Sequence, residues 1–311
     1  MSWEMQFEKL IKSFENGEIY SLAKMISLVE NNPENAWKII EKLKIKSDPH
    51  IIGVTGSPGA GKSTIVSKIV SVLSEKEKIG IIAVDPSSPF TGGAFLGDRI
   101  RMRSLYKNEN VYIRSVASRG SVGGLCDAIF DIVDVMKAFG FDRIIIETVG
   151  AGQSEIEIVF VADTVILAMS PDSGDEIQMF KAGIMEIADA YIVNKTDLPE
   201  SNAFLINLKN TLMLGDSEAC EKKIFPVSAV LNEGIKDVCD YLKVHYENLV
   251  STGEISLRKT RRKRRRIRSN IMRTIDNITE YYNFEKENLT VSKENIIKKF
   301  IEEVSDENNR N

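Results

Sequence analysis

Between residues 50 and 227 the apolar positions come in short, nearly unbroken runs rather than in alternation. The runs Ile51–Thr55, Ile79–Val84, Val111–Val116, Arg143–Glu147, Thr164–Met169, Ala190–Asn194 and Ile224–Val227 predict strands. A strand that is apolar on both faces is one covered on both faces. Helical stretches fit between the runs, so the pattern predicts an α/β fold with a mostly parallel sheet and helices on either side. Ligands in that architecture bind beyond the carboxyl ends of the strands.

The flanks follow a different period. In residues 1–46, Trp3, Phe7, Leu10, Ile11 and Phe14 keep helical spacing, Asn16-Gly17 breaks the run, and Leu22, Met25, Ile26 and Val29 form a second stripe. Asn32-Pro33 has the form of a cap and first-turn proline, opening a third helix with Ala36, Ile39, Ile40 and Leu43 inward. Residues 47–250 form the α/β domain. Residues 251–311 read as a helical C-terminal arm: nine of the eleven residues from Arg258 to Arg268 are Lys or Arg, followed by a stripe of Ile267, Ile271, Ile275, Ile278 and Tyr282. That stripe is apolar enough to seek a second copy of the chain, which predicts a homodimer.

Composition adds little beyond an ordinary globular chain: 43% hydrophobic, 28% charged, net charge −4. The acidic balance and the absence of aromatics from the basic run argue against nucleic acid as a partner. No apolar run reaches the roughly 20 residues of a membrane span, and the N-terminus lacks the layout of a signal peptide. Cys126, Cys220 and Cys239 are far apart and have no metal-ligand spacing, which suits a reducing, cytoplasmic setting. His50 and His245 stand alone in the sequence and read as structural or surface residues.

The chemistry gathers at the predicted strand ends. Gly56-Ser57-Pro58-Gly59-Ala60-Gly61-Lys62-Ser63 fits the phosphate-binding P-loop at every fixed position, between a strand and a helix beginning near Ser63. Such a loop turns its backbone N–H groups toward phosphate oxygens, and glycines permit the dihedrals this needs. The helix presents its positive end to the same anion. The candidate phosphate residues are therefore Gly59, Ala60, Gly61, Lys62, Ser63 and Thr64. Lys62 would reach the β- and γ-phosphates and the Ser63 hydroxyl would ligate Mg2+.

Asn194-Lys195-Thr196-Asp197 closes a later strand and matches the Asn-Lys-x-Asp guanine motif. A carboxylate at Asp197 can accept from guanine N1–H and the 2-amino group, neither of which adenine offers. Sites built on such pairing discriminate by roughly 10⁴-fold or more. Ser228-Ala229 has the form of the backbone contact to guanine O6. Glu147-Thr148-Val149-Gly150 closes a very apolar strand, and Gly150 could offer its N–H to the γ-phosphate. Glu147 and Asp85 are acids at strand ends, suited with Ser63 to Mg2+, which takes hard oxygen ligands and keeps several waters. Asp98 is a weaker candidate on chemistry alone.

Taken together, Val84-Asp85-Pro86-Ser87-Ser88, Gly92-Gly93 with Leu96-Gly97-Asp98-Arg99, Glu147 through Glu155, and Gly174-Asp175-Glu176-Ile177-Gln178 occur in an order that resembles the methylmalonyl-CoA mutase-associated GTPases, also called ArgK-type or LAO/AO transport kinases. The resemblance implies a GTPase chaperone for adenosylcobalamin-dependent acyl-CoA mutases, acting in cofactor loading, protection or reactivation. It places Asp85, Asp98 and Glu147 with Ser63 around the magnesium. It also assigns Asp175–Lys181 to a switch, in which Gln178 and Lys181 couple the mutase to the nucleotide cycle. One departure is Ser170-Pro171-Asp172-Ser173-Gly174, where the family usually has a smaller, glycine-containing turn. Two other classes remain to be weighed. A kinase of a small-molecule or protein acceptor would need a phosphoacceptor site that the sequence does not display. A metallochaperone GTPase would want a His- or Cys-rich tract, and the chain has two histidines.

Overall fold

The computed structural model describes residues 3–33, 35–85, 102–117, 128–148, 154–172, 183–214, 222–280 and 292–301. They fall into two compact units, residues 1–259 and 260–311. In the first, seven parallel strands form one sheet: β1 (His50–Gly56), β2 (Ile79–Asp85), β3 (Val111–Ala117), β4 (Arg143–Glu147), β5 (Thr164–Met169), β6 (Ala190–Val193) and β7 (Lys223–Pro226). Their order is β3-β2-β4-β1-β5-β6-β7, which puts β1 at the centre. All seven predicted runs are strands, with no end displaced by more than one residue. Asn194, the last residue of its predicted run, directly follows β6, and its N–H still donates to Met169 O of β5, at 2.8 Å.

The helices are α1 (Trp3–Glu15), α2 (Ile19–Asn31), α3 (Ala36–Glu41), α4 (Lys62–Leu73), α5 (Ala128–Phe139), the single turns α6 (Ser154–Glu157) and α7 (Ile184–Ile187), α8 (Ser201–Leu214), α9 (Ile235–Ser251) and α10 (Glu254–Glu280). Successive strand residues feed opposite layers, as a period of two requires. Ile144 and Ile146 of β4 pack with Phe14, Met25, Ile26 and Ile132 of α1, α2 and α5. Ile145 faces the other way, onto Ile65, Ile69, Val238 and Leu242 of α4 and α9. Leu167, Met169 and Tyr191 complete a third cluster with Phe204, Leu208 and Leu212 of α8. Full burial of each large aliphatic side chain in these layers is worth about 1.5–3 kcal/mol.

Asn32 does not open the third helix. Its backbone N–H and its side-chain amide both donate to Leu28 O, at 3.1 and 2.9 Å, so it closes α2 by satisfying one of the last carbonyls. The following helix is the short α3, with Ala36 and Ile39 buried as expected.

The two histidines do not stand alone. Both lie at the amino end of the sheet and meet on one threonine. Arg143 Nη1 approaches His50 Nδ1 at 3.0 Å, and a guanidinium can only donate. His50 Nδ1 therefore accepts, and its Nε2–H donates to Thr164 Oγ1 at 2.7 Å. The Thr164 hydroxyl in turn donates to His245 Nδ1 at 2.9 Å. His245 Nε2 faces Asp189 Oδ1 at 3.7 Å, and Arg258 grips both oxygens of Asp189 at 2.8 and 2.9 Å. The far end is closed by the Arg143–Glu77 ion pair. Burial, then the positive charges of Arg143 and the groups beyond it, push the His50 pKa down to about 2. Burial also lowers that of His245, against the opposing pull of Asp189.

In the second unit the predicted isoleucine stripe divides. Ile267 and Ile271 are exposed, whereas Ile278 is buried. Ile275 and Thr279 line an apolar cavity of about 290 Å³ with Ile296, Ile297 and Phe300 of the helical residues 292–301. Among the described residues no helix is long and apolar enough to cross a membrane.

Candidate functional site

β1 ends in the glycine-rich loop at the carboxyl edge of the sheet's centre. Gly56 has φ 137°, and a Cβ there would lie 1.9 Å from Ala168 O of the neighbouring strand, so no other residue fits without moving backbone. Gly61 is the left-handed N-cap of α4; its carbonyl accepts from Ile65 N at 2.9 Å, and it has no side chain to cap the N–H groups that precede Ile65. Those groups and the helix dipole make this an anion-binding end. Lys62 is buried, and its Nζ donates to Gly56 O at 2.6 Å and Ser57 O at 2.9 Å, which folds the ammonium back across its own loop.

The structure brings two of the proposed metal ligands together. Ser63 Oγ donates to Glu147 Oε1 at 2.6 Å, and both residues are buried. Glu147 pairs in register with Ala83 of β2. Asp85, two residues further along and also buried, projects to the same face of the sheet. The donors are a hydroxyl and two carboxylates, the hard oxygens that Mg2+ takes, so the residues present fit that ion. Among the described residues no group of three or more His, Cys, Asp or Glu side chains could hold a metal. Mg2+ is commonly bound by one or two carboxylates together with substrate phosphates. Thr148 Oγ1 donates to Thr55 Oγ1 at 3.0 Å and fixes the residue after Glu147 against the end of β1. Thr64 is partly exposed on the first turn of α4.

The base motif is bonded directly to the phosphate loop. Asn194 Nδ2 donates to Ala60 O at 2.9 Å across 134 residues of sequence. Asn194 Oδ1 accepts from Ala229 N at 3.1 Å. A Cβ on Gly61 would lie 2.4 Å from that same Nδ2, so the glycine also makes room for the asparagine. Ser228 Oγ donates to Asp197 Oδ1 at 2.6 Å and so orients the carboxylate. The Ala229 N–H, expected at guanine O6, here serves Asn194; offering it to a base requires the two acceptors to share or exchange it. Lys195 has φ 62° and its Nζ is 2.6 Å from Asp172 Oδ2.

Sequence reasoning did not find Thr55, Thr148 or Asp172. The first two are threonines at strand ends, without a motif of their own. Asp172 lies in the segment already marked as a departure. Asp98, Gly150, Gln178 and Lys181 lie outside the described residues.

An all-parallel sheet whose central strand runs through a glycine-rich turn into a helix bearing buried Lys62 and Ser63 defines a P-loop nucleotide hydrolase. The Asn-Lys-x-Asp loop bonded to that turn narrows the class to the GTPases. Comparison with known proteins agrees. The sequence profile described as Methylmalonyl Co-A mutase-associated GTPase MeaB matches residues 22–283. A Pyrococcus abyssi protein named as a GTPase is 43% identical over 263 residues, covering 83% of this chain and 81% of that one. A Caenorhabditis elegans protein, named methylmalonic aciduria type A homolog, mitochondrial, is 33% identical over 276 residues, covering 81% and 69%. The crystal structure of an LAO/AO transport system kinase has the same fold, with TM-score 0.69 at 22% identity over 97% of this chain and 99% of that one. The chain belongs to the methylmalonyl-CoA mutase-associated GTPase family and is a P-loop GTPase.

Proposed function

We propose that this GTPase binds GTP with Mg2+, and uses the cycle from GTP to GDP and phosphate to assist an adenosylcobalamin-dependent acyl-CoA mutase of the methylmalonyl-CoA type in cofactor loading, protection or reactivation. It does so in the cytoplasm, as a homodimer through its C-terminal arm. The partner half of this reading rests on the family, whose profile carries the mutase in its description and spans residues 22–283. The nucleotide half rests on one observation, the Asn194 side chain bonded to both Ala60 and Ala229. That contact joins the loop suited to phosphates to the two loops suited to guanine.

Within the site, Gly59 to Thr64 cradle the phosphates and Lys62 neutralises their charge. Ser63, Asp85 and Glu147, with Asp98, would hold the Mg2+, which would supply positive charge to the phosphates. Gly150 donates to the γ-phosphate. Asp197 reads the guanine edge, supported by Asn194, Lys195, Ser228 and Ala229. Gln178 and Lys181 carry the nucleotide state to the mutase.

The test is the GTPase rate of the full chain with and without a purified adenosylcobalamin-dependent mutase, alongside pull-downs in each nucleotide state. Stimulated turnover and a nucleotide-dependent complex are expected. Unchanged turnover with no complex, across mutases of this class, overturns the partner assignment and leaves the GTPase standing.

A further inference from the structure

Lys195 stands in an unusual place. It is one of two non-glycine residues with positive φ among the described residues, a region that L-residues avoid. Its loop is pinned on both sides by main-chain bonds: Asn194 N to Met169 O at 2.8 Å, and Thr196 N to Val227 O at 3.2 Å. The side chain is pinned as well, by the ion pair of its ammonium with Asp172 Oδ2 at 2.6 Å. Asp172 comes three residues after Met169, the last residue of β5. The exits of β5 and β6 are therefore tied twice, once through backbone and once through this pair. Hydrogen bonding from Lys195, then from Ser170, holds the Asp172 carboxyl below the usual carboxylate range, so the pair is intact at neutral pH.

An ion pair this exposed, 29% for Lys195 and 50% for Asp172, contributes little to the stability of the fold. What it does is remove the rotamer freedom of a four-carbon stem within the guanine motif. We infer that Asp172 is a positioning residue for the nucleotide site: it presets Lys195 so that the lysine stem forms one wall of the base pocket before a purine nucleotide arrives. The inference rests on the proposed base site. An aliphatic stem meets a ring by its face and reads none of its edge groups. Asp172 therefore governs affinity for the purine nucleotide without governing the choice of base, which belongs to Asp197. Preorganisation of this kind gains affinity by lowering the ordering cost of binding.

The test uses the full chain as wild type, Asp172→Ala, Asp172→Glu and Asp197→Ala. Release of a fluorescent mant-GDP is followed by stopped flow, and turnover is measured with GTP and with ITP, which lacks the 2-amino group. Asp172→Ala should speed GDP release and raise KM for both nucleotides by the same factor, about two- to five-fold, the yield of an exposed ion pair. It should leave kcat unchanged, and Asp172→Glu should recover most of the loss. The gap to wild type should close near 1 M salt, where the Debye length is about 3 Å. Wild-type release and KM in Asp172→Ala, or a gap indifferent to salt, overturns the inference. Asp197→Ala separates the two levels. If it collapses the preference for GTP over ITP while Asp172→Ala is silent, the inference alone fails. If it leaves the preference intact, the base site falls and the inference with it.

Discussion

His50 is the most demanding test of the packing at the amino end of the sheet. It is buried, accepts from Arg143 and donates to Thr164, and its ring stacks on Tyr246 at 4.4 Å between centroids. Arg143, His245 and Arg258 all oppose a positive charge there, and burial opposes it most. The folded pKa is about 2 against an ordinary 6.5. A depressed pKa means that the unfolded chain binds the proton first. The stability that neutral His50 contributes is therefore complete above pH 6.5 and is lost progressively as pH falls towards 2. Between pH 7.5 and 5 the loss from this one residue is about 2 kcal/mol. His245, shifted in the same direction, adds to the slope in wild type and variant alike. The perturbation is His50→Asn, which keeps an acceptor and a donor but no titration. Urea unfolding of both proteins is followed by tryptophan fluorescence, with Trp37 of α3 in the unit of residues 1–259. The variant should be the less stable at pH 7.5 because the ring contact is lost, and its deficit should shrink by about 2 kcal/mol at pH 5. Equal deficits at the two pH values would show that His50 charges in the folded protein, and would refute the hydrogen-bond directions derived above.

Three further outcomes follow from the carboxyl end of the sheet. Lys62→Ala should remove nearly all GTP turnover while circular dichroism stays native, since backbone N–H groups alone do not balance the phosphate charge; near-normal turnover in a folded variant removes Lys62 from the site. Asp197→Asn should weaken GTP and favour xanthosine triphosphate in competition binding, because an amide donates where the 2-amino group donated. Asn194→Ala deprives buried Ala60 O and Ala229 N of their partner, so unfolding stability should fall by about 2–4 kcal/mol and GDP affinity with it. A loss under about 1 kcal/mol would mean that water replaces the side chain without cost.

The sheet was legible because its five inner strands are buried on both faces and read as apolar runs, a signal that local pattern carries without tertiary context. The glycine-rich loop was legible because its backbone geometry restricts the residue type at Gly56 and Gly61. Asn32 misled because the same asparagine suits the end of one helix and the start of the next, and only the position of Leu28 O decides. The histidine network was invisible for another reason. His50 and Thr164 are 114 residues apart, and Thr164 and His245 a further 81, so no local spacing records that they meet. The Asp172–Lys195 pair shares that property at shorter range: the acid is unremarkable until β5 and β6 are neighbours.

The bond from Asn194 to Ala60 has a consequence for how the chain is made. It spans 134 residues, and its second half needs Ala229, 35 residues further on. On the ribosome the phosphate loop emerges early, but the proposed base pocket stays open until residue 229 has left the exit tunnel. Until then a nascent chain lacks the base contacts, and with them the share of stabilisation they would add to bound GTP. Once the last contact closes, a ligand at 100 times its Kd adds roughly 2.7 kcal/mol to the folded state. The expected outcome is that GTP protects the full chain from proteolysis more than it protects fragments ending before Ser228, which lack Ala229 and so the second bond of Asn194.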